Sequence, residues 1–318
     1  MRPESGSMVD LLAKSLCPVF FVLALGYYAG KRKIIDNHNP QPLIAILMSF
    51  ALPCSLFATM ANSTHEILRA QLPVALAMIV VMLAIFAATW AVEVRIYRQP
   101  NDGAAIQALT VAFPNCVAVG IPLLSGLYGP TGLVPVDIAI TVGALTVSPL
   151  TLSVLERVYI THKSRSATSA FGYAVLGAFK KPVVLAPLFG FLVALSGVHL
   201  PGFTTRMLML IGAVTGGLAL FLTGLIISAY KLRMSTDVIV GTALKNLGQV
   251  CVMIAIAHFL PLSPREAREA LLISALPAGF FGSVFGPWYG ASAERAASTL
   301  AASTILSIIT LAIVLRVS

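Results

Sequence analysis

The chain has 318 residues, 58% of them hydrophobic and 10% charged, with a formal net charge of +9 and a mean hydropathy of +0.92. Such a composition excludes a water-soluble globule and specifies a polytopic membrane protein. The basic residues are dispersed among short loops, so the charge is a topology signal, and nucleic acid is excluded as a partner.

Ten apolar segments follow one another at 9–29, 40–61, 70–94, 103–126, 133–154, 182–198, 203–227, 238–260, 266–288 and 296–316. Most are near the ~20 residues that a spanning helix needs, so the expected fold is all-α with ten transmembrane helices. The first segment lacks a basic n-region and a small-residue cleavage site, so it is expected to stay as a helix. In the second, Pro53-Cys54-Ser55 interrupts the apolar run, and Pro53 and Ser55 are candidates for a cavity wall beside the alternative of an ordinary kink.

The fourth segment is broken at Ala112-Phe113-Pro114-Asn115-Cys116. An interior proline removes a backbone hydrogen bond, and at membrane depth the freed groups need protein, ligand or a watery cavity. Asn115 is suited to cap the half-helix that follows, whose exposed N–H groups favour an anion. Asp137, after Val134-Pro135-Val136 near the start of the fifth helix, is a candidate supporting or coupling residue, beside the alternative that the helix dipole alone favours an acid there. Glu93 is expected at the membrane boundary beside Arg95.

In the eighth segment, Lys245 is followed by Asn246 and, one turn on, by Gln249, which shares its face. Two readings stand side by side. Lys245 is either a fixed cation that neutralises a carboxylate or substitutes for bound sodium, or a side chain that snorkels to the headgroups. The ninth segment breaks at Leu276-Pro277-Ala278-Gly279-Phe280-Phe281-Gly282-Ser283. Here no side-chain amide is present, so backbone donors near Gly279 and Phe280, with the Ser283 hydroxyl, are the candidate polar contacts.

Pro114 and Pro277 are 163 positions apart, and a shift of 164 aligns Pro18 with Pro182, Gly26 with Gly190, and Leu56-Phe57-Ala58-Thr59 with Leu220-Phe221-Leu222-Thr223. A nearly constant offset implies two five-helix repeats, 1–155 and 182–318, joined by a basic linker at 156–181. An odd number of crossings per repeat inverts the second relative to the first, and paired breaks point to a transport site. Lys31, Arg32, Lys33, Arg95, Arg98, Arg157, Lys163, Arg165, Lys180, Lys181, Lys231, Arg233 and Arg295 fall on one side. That places both termini away from the cytoplasm.

Cys17, Cys54, Cys116 and Cys251 all lie in apolar segments without CxxC spacing or a histidine at ligand spacing, so they read as small packed hydrophobes with no metal site, with cavity lining the alternative for Cys54 and Cys116 beside their prolines. HExxH, Walker and GxSxG motifs are absent, which leaves no enzymatic or cofactor reading and no nucleotide-driven pump. A channel needs a continuous polar lining, whereas polar residues here cluster around the two breaks.

Phe113-Pro114-Asn115 through Gly120-Ile121-Pro122-Leu123-Leu124-Ser125-Gly126-Leu127-Tyr128-Gly129 resembles the fourth-helix signature of the auxin efflux carrier family. Leu276-Pro277-Ala278-Gly279 resembles its ninth-helix partner, and Gly279-Phe280-Phe281-Gly282 with Val284-Phe285-Gly286 is similar to bacterial malonate carriers. The resemblance implies scaffold and transport domains, crossing fourth and ninth helices and elevator-type alternating access in a bacterial inner membrane. It further implies substrate held by Pro114, Asn115, Cys116, Pro277, Ala278, Gly279, Phe280 and Ser283. Plant auxin carriers have glutamine at the position of Ala278 and a longer central loop, so a small mono- or dicarboxylate is the expected substrate rather than auxin. Expected partners are that anion, membrane lipid and a coupling H+ or Na+, with monomer and homodimer both compatible with the chain. A bile-acid-type sodium symporter and a non-transporting membrane subunit are the alternatives.

Overall fold

A computed structural model describes residues 5–161, 180–198 and 200–317. Residues 162–179, with Lys163, Arg165 and most of the expected linker, lie outside the described residues. Among the described residues every regular element is helical, as a bilayer requires of a chain that must satisfy its backbone internally. Besides the short pieces His65–Ala70 and Gly129–Gly132, in chain order they are α1 (Ser5–Lys31), α2 (Gln41–Ala61) and α3 (Leu72–Arg95), then α4 (Asn101–Ala112) and α5 (Cys116–Tyr128). They continue as α6 (Leu133–Val158), α7 (Pro182–Ser196), α8 (Gly202–Ala229) and α9 (Thr236–Phe259), then α10 (Pro264–Ala275), α11 (Phe281–Trp288) and α12 (Glu294–Val317).

Six of these, α2, α3, α6, α8, α9 and α12, are long and apolar enough to cross a membrane. Their outward faces carry large apolar side chains such as Leu210, 83% exposed, and Phe259, 84% exposed. So much exposed apolar surface suits hydrocarbon and not water.

Local sequence explains the ends and distortions of these helices. Ser263 and Glu266 form a capping box at the start of α10, with Pro264 at its first turn, and the left-handed Gly197 closes α7. Two π-turns, Leu47–Ala51 in α2 and Cys116–Gly120 in α5, each stand two residues before a proline, Pro53 and Pro122. The wider turn accommodates the ring and the missing donor. A third, Leu244–Gly248 in α9, contains no proline; it contains Lys245.

The helices pack in two sets that do not follow chain halves: α1 with α8 and α2 with α7 in one, and α3, α4, α6, α9, α10, α11 and α12 around the breaks in the other, with α5 between them, against α1 and α8 on one side and α6 on the other. Glycines set the first group's spacing. A Cβ on Gly26 of α1 would sit 2.0 Å from the Phe221 carbonyl oxygen of α8, and one on Gly190 of α7 would sit 2.8 Å from that of Phe57 of α2. Gly26 aligns with Gly190 and Phe57 with Phe221 under the same 164-residue shift, so the two contacts exchange with one another. Gly26→Ala is therefore expected to destabilise the protein by about 1–3 kcal/mol, because the obstacle is backbone. Gly217→Ala in α8, with nothing within 4 Å, is the neutral control; thermal unfolding of purified protein in detergent checks both.

Candidate functional site

The two broken helices meet. Pro114 and Ala278 form an antiparallel β-bridge, in which the Asn115 N–H donates to the Pro277 carbonyl at 2.9 Å and the Gly279 N–H donates to the Thr110 carbonyl at 2.9 Å. Backbone groups freed by the prolines are thus satisfied by the opposite break. Gly279 is needed for contact: a Cβ there would lie 2.3 Å from the Phe113 carbonyl oxygen. Phe113 stacks on Phe281 with ring centroids 4.7 Å apart, tying the end of α4 to the start of α11.

Asn115 is the N-cap of α5, its side-chain oxygen accepting from the Ala118 N–H at 3.3 Å. It is 3% exposed, and Pro114, Cys116, Pro277, Ala278, Gly279, Phe280 and Ser283 are buried around it. The Ser283 hydroxyl has no partner within hydrogen-bonding distance. Two of the expected backbone donors are spent within the protein, since the Gly279 N–H bonds Thr110 and the Ala278 N–H donates to Ser303 Oγ at 2.9 Å. The half-helix starts of α5 and α11 are left as the electropositive ends at the crossing.

The opposite ends of the break are held from α9. Lys245 is 0% exposed, so it does not reach for the headgroups. Its Nζ donates to Gln249 Oε1 and to the Ser274 carbonyl at 2.9 Å, in the last turn of α10. Gln249 Nε2 donates in turn to the Ala112 carbonyl at 3.2 Å, the last residue of α4. The amide of Asn246 lies 2.6 Å from Ser303 Oγ in either of its orientations. Lys245, Asn246 and Gln249 are therefore brought together with both breaks.

Asp137, Pro53 and Ser55 sit differently. Asp137 is half-buried in α6, next to Val136, which packs over Gly120. Pro53 is buried in α2, and Ser55 lies against Gly212 of α8, where a Cβ would be 3.1 Å from the Ser55 backbone. Of the cysteines, Cys116 is buried, Cys54 half-buried, and Cys17 and Cys251 exposed; the last two are not packed hydrophobes, since they face outward on α1 and α9. Among the described residues no cluster of His, Cys, Asp or Glu fit for a metal occurs.

Sequence reasoning missed two features. Ser303, which joins Ala278 to Asn246, belongs to a buried stripe on α12 with Thr299, Ser307 and Thr310, legible as polar residues recurring every three or four positions. Glu93, two residues before the end of α3, turns inward: it is 1% exposed and lies 3.5 Å from Arg295, which is also 3.6 Å from Asp237. Partners some 200 positions apart leave no local signal.

The profile of the family described as "Membrane transport protein" matches residues 11–315. The chain is 25% identical over 306 residues to "Uncharacterized transporter YfdV" of Escherichia coli (strain K12), covering 95% of this chain and 96% of that protein. It is 24% identical over 301 residues to "Putative malonate transporter" of Rhizobium meliloti (strain 1021), covering 92% of this chain and 91% of that protein.

Proposed function

This chain belongs to the membrane transport protein family, and on that premise we propose that it is a secondary active carrier of a small organic anion, a malonate-like mono- or dicarboxylate. The observation that carries the reading is the antiparallel pairing of the two breaks, which gathers the half-helix starts of α5 and α11 at one buried point. Two such ends suit an anion. Asn115 and the unpartnered Ser283 hydroxyl supply polar side chains there.

The ten membrane passes are α1, α2, α3, α4 with α5, α6, α7, α8, α9, α10 with α11, and α12, five in each inverted repeat. The exchangeable glycine contacts, Gly26 on Phe221 and Gly190 on Phe57, support a pseudo-twofold relation between the repeats. In this reading α1, α2, α7 and α8 are the scaffold, and the set around the crossing moves against it as an elevator. The basic loops face the cytoplasm, which puts both termini outside in a bacterial inner membrane. Burial of the crossing fits a conformation closed to both sides.

Uptake of radiolabelled malonate into proteoliposomes under imposed pH, sodium and voltage gradients tests this. Saturable uptake is expected, with Asn115→Ala lowering apparent affinity about 10- to 100-fold, the loss of a hydrogen bond to a charged group. The lost cap costs only about 1 kcal/mol of stability, so the variant remains folded. Full affinity and flux in folded Asn115→Ala would reject the site.

A further inference from the structure

Two helix C-termini converge on one side of the crossing. α4 ends at Ala112 and α10 at Ala275, and the last carbonyls of any helix have no intrahelical partner. Each such end carries about half a negative charge. Together they amount to about −1, inside a bilayer where water cannot offset it. Discontinuous helices in carriers commonly answer this with a bound cation.

Here the answer is covalent. The Lys245 ammonium donates to the Ser274 carbonyl at the end of α10 and to Gln249, whose amide donates to the Ala112 carbonyl at the end of α4. One positive charge thus meets two half-charges, with Gln249 relaying it to the second end. The π-turn Leu244–Gly248 is where the lysine enters, in a helix with no proline to demand that turn. Around Nζ the oxygens are the Ser274 carbonyl and Gln249 Oε1. Uncharged oxygens in such a set suit a monovalent cation, with the helix ends supplying the negative field.

We propose that Lys245 is a built-in counter-cation standing where a carrier of this design would bind a coupling metal ion, so that transport proceeds without Na+ or K+. The proposal rests on the carrier reading above for its role in coupling, and on the hydrogen bonds alone for its placement. It makes a reciprocal demand. With the ammonium removed, Ser274 and Gln249 keep their oxygens and the helix ends keep their charge, so a monovalent metal ion becomes the replacement ligand.

The test is thermal unfolding of the purified full chain in NaCl, KCl and N-methyl-D-glucamine chloride at equal ionic strength, alongside malonate uptake in the same salts. Wild-type protein is expected to unfold at one temperature in all three. Lys245→Ala is expected to show a saturable rise of roughly 2–4 °C in NaCl or KCl over the organic cation, and Lys245→Arg to respond as wild type. Should Lys245→Ala not yield folded protein, Lys245→Gln carries the same neutralisation at closer volume. Stabilisation of wild type by Na+ or K+, or Na+-dependent wild-type uptake, overturns the proposal, as does a folded neutral variant indifferent to metal cations. Because unfolding needs no substrate, failure to move malonate with these cation responses intact would overturn the substrate reading and leave the cation assignment standing.

Discussion

Gly279→Ala is expected to reduce uptake by more than about 100-fold and to lower the unfolding temperature, the largest effect of any single methyl group at the crossing. The new Cβ would lie 2.3 Å from the Phe113 carbonyl oxygen and 3.5 Å from the Phe113 Cβ. No rotamer change relieves a clash with backbone. The chain has to shift, and what holds it are the bonds from Asn115 to Pro277 and from Gly279 to Thr110. Each is worth about 1 kcal/mol net, and more once its buried groups are left unpaired. A displacement of a few tenths of an ångström also moves the start of α11 away from Asn115, and misplacement on the scale of 1 Å is enough to cost about 100-fold at a positioned site. The glycine is not there for a left-handed conformation, since the positive-φ glycines among the described residues are Gly129, Gly197 and Gly290. Gly216→Ala in α8, where the nearest heavy atom is the Val117 carbonyl at an ordinary 3.6 Å, is the matched control. Near-wild-type uptake by Gly279→Ala would show that the two breaks do not need this closeness.

Arg295→Met is expected to be the most destabilising substitution outside the crossing. Arg295, at the start of α12, lies within 3.6 Å of both the buried Glu93 at the end of α3 and Asp237 at the start of α9. Removing the guanidinium leaves the buried Glu93 carboxylate and the largely buried Asp237 carboxylate without this cation. Breaking a buried pair from one side costs about 3–5 kcal/mol. The lower end applies here, because the arginine side chain is 26% exposed and the contacts are long. Glu93→Gln combined with Arg295→Met is expected to recover most of the loss, since it removes the stranded charge while keeping the volume. A double-mutant cycle on thermal unfolding reads the coupling directly. An Arg295→Met protein as stable as wild type would mean that water reaches Glu93 and the cluster is a surface feature.

Much of the architecture was legible because membrane helices are specified by composition over long windows. The apolar segments 70–94 and 238–260 read as spans in the sequence, and the helices Leu72–Arg95 and Thr236–Phe259 are long enough to cross. The breaks were equally legible: a proline inside an apolar run removes a donor wherever it stands, and Asn115 caps the helix beyond it. The 164-residue shift pointed to Gly26 and Gly190, and both are points of close backbone approach. The partner of Glu93 was not legible because its arginine lies 202 positions further on, and Cys17 and Cys251 were placed inside because an apolar segment does not say which of its faces is turned to lipid.

The sequence by itself determined the class, the helical segments, the position of both interruptions and the membership of Lys245, Asn246 and Gln249 on one helix. Only the tertiary structure decided that the interruptions lie against each other, that Lys245 turns inward to the end of α10, and that Gln249 reaches the end of α4. The reason is the range of the forces concerned. Helix formation and proline breaks are settled by groups within about four residues of one another. The direction of a buried lysine is settled by carbonyls that two other helices bring to it, and those carbonyls are free only because the breaks have released them.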